Sequence, residues 1–147
     1  MDNTAKTYIH ILDQSLDKKI SVLNRIIDQD QIQMQQLEDP NLDPDDFDKT
    51  VETKAKLIEE LELLDDGFEQ IFARVKEEIG EHKVDYKTEI RQMQEKIRQI
   101  TAKSMEIQAQ EARNKNLMEK KFNSVHKNKR RAYRERYAMY RVRRILC

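Results

Sequence analysis

The sequence predicts an all-α fold, an elongated antiparallel helical hairpin or three-helix coiled-coil bundle with a basic C-terminal tail. Apolar residues recur at alternating steps of three and four along three long stretches, which places one side chain per turn on a single helix face. Charged residues make up 38% of the chain, and only 2 Gly and 2 Pro interrupt it. Such a composition is typical of long amphipathic helices with solvated outer faces.

The first helix is predicted over residues 4–37. Pro40 lies just beyond it, and the residue before a proline is pushed out of helical geometry, so the helix ends in this region. The short connection that follows favours an antiparallel neighbour. The apolar positions of this helix are Ile9, Leu12, Leu16, Ile20, Leu23 and Ile27.

The second helix is predicted over residues 44–79. Asp43 is a suitable N-cap and Pro44 suits the first helical position, while Asp45 and Asp46 lie at the positive end of the helix dipole. One position of its stripe is charged, at Lys54. The stripe comprises Phe47, Val51, Lys54, Ile58, Leu61, Leu64, Phe68, Phe72, Val75 and Ile79.

The third helix is predicted over residues 84–119, after a turn at Gly80. An unbroken helix through Gly80 is the alternative, and it would cost only about 1 kcal/mol relative to alanine. We favour the turn, because an unbroken helix would leave much of the third stripe without a partner in the same chain. That stripe comprises Tyr86, Ile90, Met93, Ile97, Ile100, Ser104 and Ile107.

Beyond Ile107 the third stripe becomes polar, at Glu111 and Asn114. Polar seam residues weaken a coiled interface and restrict the partners and registers that it accepts. Two interpretations remain open: the bundle ends near residue 107 and the helix projects into water, or this segment is a partner-facing surface of low stability. Small residues and one methionine run beside it, at Ala102, Met105, Ala109 and Ala112.

A net charge of zero conceals a division of the chain into an acidic body, residues 1–119, and a basic Tyr- and Arg-rich helix or tail, residues 120–147. The body has 17 basic and 27 acidic residues, and the tail has 11 and 1. Tyr133, Tyr137 and Tyr140 share one face if the tail is helical. Contact with a protein or with the acidic body is favoured over nucleic acid, and a membrane surface is the least favoured partner.

The sequence offers no catalytic constellation, and we expect neither an enzyme nor a cofactor or metal site. His10, His82 and His126 are isolated from one another and from cysteine, and the two glycines form no phosphate loop. The single cysteine, Cys147, cannot form an internal disulfide, which fits a reducing compartment. The first residues lack the basic and apolar segments of a signal peptide, so the expected location is the cytoplasm.

The middle of the chain resembles flagellar export chaperones of the FlgN type. Residues 54–68, KAKLIEELELLDDGF, follow a long first helix and an acidic break, as in that family. The segments IRQIT, residues 97–101, and IQAQE, residues 107–111, are also similar to family members. The resemblance extends over residues 5–119 and rests on periodic motifs; the tail departs from the family pattern.

The resemblance implies a cytosolic chaperone that binds the C-terminal helices of hook-associated flagellar proteins and prevents their premature assembly before type III export. The export apparatus would be a second partner. The alternatives are a structural coiled-coil subunit of a secretion or ATPase complex, and a nucleic-acid-binding protein that uses the basic tail. The residues expected to bind the partner are Met105, Ala109, Ala112, Leu117, Met118, Phe122, Val125, Tyr133, Tyr137 and Tyr140.

Overall fold

The computed structural model describes residues 4–80 and 82–122. Three long helices account for nearly all of them: α1 (Thr4–Glu38), α2 (Pro44–Ile79) and α3 (Lys87–Lys121), with a 3-10 turn at Lys83–Tyr86 before α3. The described residues include no strand, so the predicted all-α class is confirmed. At about 1.5 Å of rise per residue, each helix is on the order of 50 Å long.

Helix α1 is the central element of the bundle. It packs along both α2 and α3, whereas α2 and α3 make few direct contacts with each other. Lys19 of α1 pairs with Asp65 of α2 at 2.5 Å, and Arg25 pairs with Glu60 at 3.8 Å, so the two helices run antiparallel.

Helix α3 runs parallel to α1. Near one end of the bundle, the ammonium of Lys96 lies 2.8 Å from Asp13 and 2.9 Å from Asp17. Hydrogen bonding to Asp13 is the main cause that raises the pKa of Lys96. Further along, Asn114 donates to the backbone carbonyl of Asp30 at 2.8 Å. These contacts keep one offset between the two helices along their length.

Both connections between helices follow from local sequence. The Asp43 carboxylate accepts a 2.9 Å hydrogen bond from the backbone N–H of Asp45, and Pro44 begins α2, as predicted. At the other end, α2 stops at Ile79, and Gly80 adopts φ +48° and ψ −114°. The N–H of Gly80 still donates to the Lys76 carbonyl, at 3.2 Å. The chain therefore turns at Gly80, and the unbroken helix is excluded.

Within the described part of the chain, the buried apolar residues form two separate cores. The main core is the larger and includes residues of all three helices: Ala5, Ile9, Leu12, Leu16, Val22, Leu23, Ile26, Leu57, Ile58, Leu61, Val75, Ile79, Met93, Ile100 and Ile107. The distal core lies at the end of the bundle that contains residues 39–43, and consists of Leu37, Phe47, Val51, Met118 and Phe122. The rings of Phe47 and Phe122 are 6.0 Å apart and link α2 to the end of α3.

The expectation that the bundle ends near residue 107 is wrong. Glu111 and Asn114 are buried, at 1% and 0% exposure, and Met118 is buried beyond them. The helix stays packed because its polar stripe residues find partners on α1 and α2, described below. For the same reason, these residues are not part of an open partner-facing surface.

Substitution by alanine should have opposite effects on stability at the two glycines. Gly80→Ala should lower the free energy of unfolding by about 1 kcal/mol, because a positive φ disfavours any residue with a Cβ. The added Cβ would meet only a carbonyl oxygen at 3.7 Å, so the backbone conformation is the cause of the destabilisation.

Gly67→Ala should raise the free energy of unfolding by about 0.5–1 kcal/mol, because Gly67 lies inside α2 and an added Cβ would meet nothing within 4 Å. Urea unfolding measures both, and stabilisation by Gly80→Ala would contradict the turn.

Candidate functional site

A buried polar layer separates the two apolar cores, and Lys54 lies at its centre. The Lys54 ammonium donates to the amide oxygen of Gln33 at 3.1 Å, lies 2.8 Å from a carboxyl oxygen of Asp30, and contacts the carboxylate of Glu111. Its side chain is only 4% exposed. A lysine ammonium has three N–H donors, and each of these partners can accept one.

The other members of the layer add further hydrogen bonds. The Thr50 hydroxyl accepts from the amide nitrogen of Gln33 at 3.0 Å and donates to the carbonyl of Phe47 at 2.6 Å. Asn114 binds the Asp30 backbone, as noted above, and accepts from Gln110 at 2.8 Å. Each helix supplies two side chains, so the layer fixes the register of all three helices. Its members are Asp30, Gln33, Thr50, Lys54, Glu111 and Asn114.

The layer combines one cation with two carboxyl groups. Burial raises the pKa of Asp30 to about 8; the charge of Lys54 opposes the shift, and the neighbouring Glu111 adds to it. Near neutral pH, Asp30 therefore retains a proton, and the protonated carboxyl leaves Lys54 and Glu111 as a charge-balanced pair. A single buried pair of this kind avoids the large cost of an uncompensated buried charge.

Part of this layer was visible in the sequence. Lys54 falls on the predicted stripe of the second helix, and Glu111 and Asn114 fall on that of the third. A basic and an acidic residue at seam positions of neighbouring helices is the signal for a buried ion pair. Asp30 and Gln33 lie outside the first predicted stripe, so the sequence analysis missed them.

An open apolar groove between α2 and α3 is the second feature of the site. It has two sections that share Phe68 and Ile97, with volumes of about 790 and 600 Å³. Phe72 and Ile97 remain 39% and 43% exposed there, although both lie on predicted stripes. The apolar lining of the α2–α3 groove is Leu16, Leu64, Phe68, Phe72, Val75, Ile79, Ile90, Met93, Ile97 and Ile100.

The charges along the groove differ between its two ends. The section that reaches Thr101 is bordered by acidic residues of α2, of which Asp65 is paired with Lys19. Asp66 and Glu69 are exposed, and neither pairs with a basic residue in the part of the chain described. At the Gly80 end, the groove is bordered by Lys76 and Lys83 instead. An occupant would meet an apolar floor with an acidic border at one end and a basic border at the other.

The structure divides the predicted partner-binding residues into two groups. Met105 is 64% exposed, and Ala109 and Ala112 are also exposed, on a face of α3 outside the groove. Met118 and Phe122 are buried in the distal core, with Leu117 half-buried beside them. The two groups do not form one surface.

The remaining predicted residues, Val125, Tyr133, Tyr137 and Tyr140, lie outside the described residues. The groove itself was missed by the sequence analysis, because periodicity alone does not tell which stripe residues meet a partner helix.

Within residues 4–80 and 82–122, no three His, Cys, Asp or Glu side chains are grouped so that they would hold a metal ion. Among the described helices, none combines the length and the apolar character needed to cross a membrane.

Comparison with protein-family models, with curated proteins and with solved structures finds no significant match to this chain. The groove and the polar layer are therefore the features of this chain that bear on function.

The titration of Asp30 predicts a pH-dependent stability. A carboxyl with a raised pKa in the folded state stabilises the fold fully below the unfolded pKa, and this contribution is lost as pH rises through the folded pKa. Asp30→Asn removes this titration. The free energy of unfolding of the variant, relative to that of the unmodified protein, should therefore increase between about pH 4 and pH 8, by at most about 1.4 kcal/mol per pH unit. Urea unfolding across this range tests it.

Asp28→Asn provides the control, since it removes one exposed carboxylate from the same helix. A stability difference between Asp30→Asn and the unmodified protein that stays constant with pH would contradict a protonated Asp30 in the folded state.

Proposed function

We propose that this protein is a chaperone that binds an amphipathic helix of a client protein in the α2–α3 groove. The observation that carries the proposal is the groove itself, an apolar channel bounded by α2 and α3, with residues of α1 lining one of its two sections. It supports a helix-in-groove mode of recognition, in which a client lays its apolar face between two helices.

The dimensions of the groove suit one helix of moderate length. From Leu64 to Ile79 the α2 wall comprises 16 residues. At about 1.5 Å per residue this is on the order of 24 Å, or four to five helical turns. Phe68 and Phe72 would contact successive turns of the client, and Ile97 would contact it from α3 at the level of Phe68. Their partial exposure leaves apolar area that a client can cover without opening the main core.

The charges at the borders of the groove specify the client further. A client helix with basic residues beside Asp66 and Glu69, and acidic residues beside Lys76 and Lys83, complements both ends. Such a pattern sets the direction in which the client lies. It contributes more to specificity and orientation than to affinity, because these groups are exposed to solvent.

The resemblance to flagellar export chaperones of the FlgN type supports one class of client. We propose that the client is the C-terminal helical segment of a hook-associated flagellar protein, held in the cytoplasm until export. Covering its apolar face would prevent premature assembly, since that face is also what such a helix offers to its own subunits. Delivery to the export apparatus completes the proposal.

The binding test uses a synthetic peptide of the C-terminal helix of a hook-associated flagellar protein encoded in the same genome. Ile97→Glu places a charge in the groove and should weaken binding by about tenfold or more, since a buried isoleucine is worth about 1.5–3 kcal/mol. Leu63→Glu is the matched control, because Leu63 is 73% exposed and does not line the groove. Isothermal calorimetry measures the dissociation constants.

Met105→Glu separates the groove from the exposed face of α3. If this variant weakens peptide binding while Ile97→Glu does not, the client binds the face that contains Ala109 and Ala112, and the groove proposal is wrong. If no hook-associated peptide binds the unmodified protein, the flagellar client class is wrong.

A further inference from the structure

We propose that the basic tail of this chain, residues 123–147, is the resident occupant of the α2–α3 groove when no client is bound. The inference concerns regulation of the groove and rests on the proposed function only in taking the groove as a helix-binding site. It assigns Tyr133, Tyr137 and Tyr140 to the groove of their own chain rather than to a client.

Charge complementarity selects the tail as the occupant. Residues 123–147 contain nine basic residues and one acidic residue. The groove section nearest to them along the bundle is bordered by Asp66 and Glu69, which are exposed and have no basic partner among the residues described. The far section is bordered by Lys76 and Lys83, so the charges favour entry of the tail at the acidic section. The attraction is therefore directed to the acidic section.

The length of the tail matches the distance that it must cover. The tail begins at Phe122, which is fixed in the distal core against Phe47. From there to Thr101, at the near end of the groove, α3 extends over 21 residues, or about 32 Å. Nine residues of extended chain, 123–131, span about 30 Å. The segment from residue 132 onward then starts at the groove.

The spacing of the tyrosines matches the groove residues. Pairing between Lys54 and Glu111 sets which residues of α2 and α3 lie at the same level, and it places Thr101 opposite Leu64. In a helical segment that starts at this level, Tyr133 and Tyr140 are about 10 Å apart, as are two positions seven residues apart on α2. Tyr133 and Tyr137 then lie at the levels of Leu64 and Phe68, and Tyr140 lies within one residue's rise of Phe72.

The single cysteine, Cys147, permits a direct test in the full-length protein. A nitroxide attached to Cys147 should broaden the backbone amide signals of residues 75–79 and 87–90, because a helix from residue 132 ends near Gly80. Broadening confined to residues 40–44, or absent from the described helices, would overturn the proposal. A diamagnetic label on the same cysteine supplies the reference spectrum, and no client is needed.

Two charge reversals on α2 provide a test of docking and its matched control. Glu69→Lys should abolish the broadening at low ionic strength. Glu78→Lys should leave it unchanged, since Glu78 is exposed, does not line the groove and lies nine residues away, on the opposite face of the helix. Equal effects of the two variants would show that only net charge matters and would overturn docking in the groove.

Competition links the tail to the client. Replacing Tyr133, Tyr137 and Tyr140 by alanine should tighten binding of the client peptide by several-fold, because the tail no longer competes for the groove. Weaker binding would assign the tyrosines to the client instead, and would overturn the proposal. If the nitroxide effect is present while no peptide binds, the tail proposal stands and the proposed client is wrong.

Discussion

The burial of the Lys54 ammonium constrains the whole bundle. A charge at this depth is tolerated only if hydrogen-bonding and charged partners surround it, and those partners come from both of the other helices, α1 and α3. Sliding α3 by one turn would remove Glu111 from Lys54 and leave an uncompensated buried charge. The apolar contacts around the layer discriminate much less between neighbouring registers, since the stripes repeat every three or four residues. The layer therefore determines alignment, while the apolar cores supply most of the stabilisation.

The same layer divides the bundle into two ends with different architecture. On one side, the distal core links α2 to α3 directly through Phe47 and Phe122. On the other side, α2 and α3 are each attached to α1 and leave a groove between them, partly lined by Phe68 and Ile97. An occupant of the groove thus binds between helices whose relative positions are already fixed. Such preorganisation lowers the entropic cost of binding.

The sequence predicted the fold better than the site, for a physical reason. Helix formation depends on local spacing and capping, so the Asp43 cap, Pro44 and the stripes were sufficient to predict α2. Whether a stripe residue is buried depends on which helix lies opposite, and periodicity contains no such information. Ile97 and Met93 belong to one stripe, yet Ile97 is 43% exposed and Met93 is 8% exposed. Glu111 was misinterpreted for the same reason, because its partner is 57 positions away in the sequence.

Stability and binding draw on the same apolar residues in so thin a bundle. Each helix contributes one stripe, and a residue that faces the groove contributes less to the core than one that faces α1. Leaving Phe72 and Ile97 partly exposed lowers the hydrophobic stabilisation of the free protein, at about 25 cal/mol per Å² of apolar surface left in water. Any helix that covers this surface recovers that energy, whether it comes from a client or from the same chain. A resident segment whose charged contacts are exposed to solvent is suited to exchange, since salt-screened pairs of this kind contribute little to affinity.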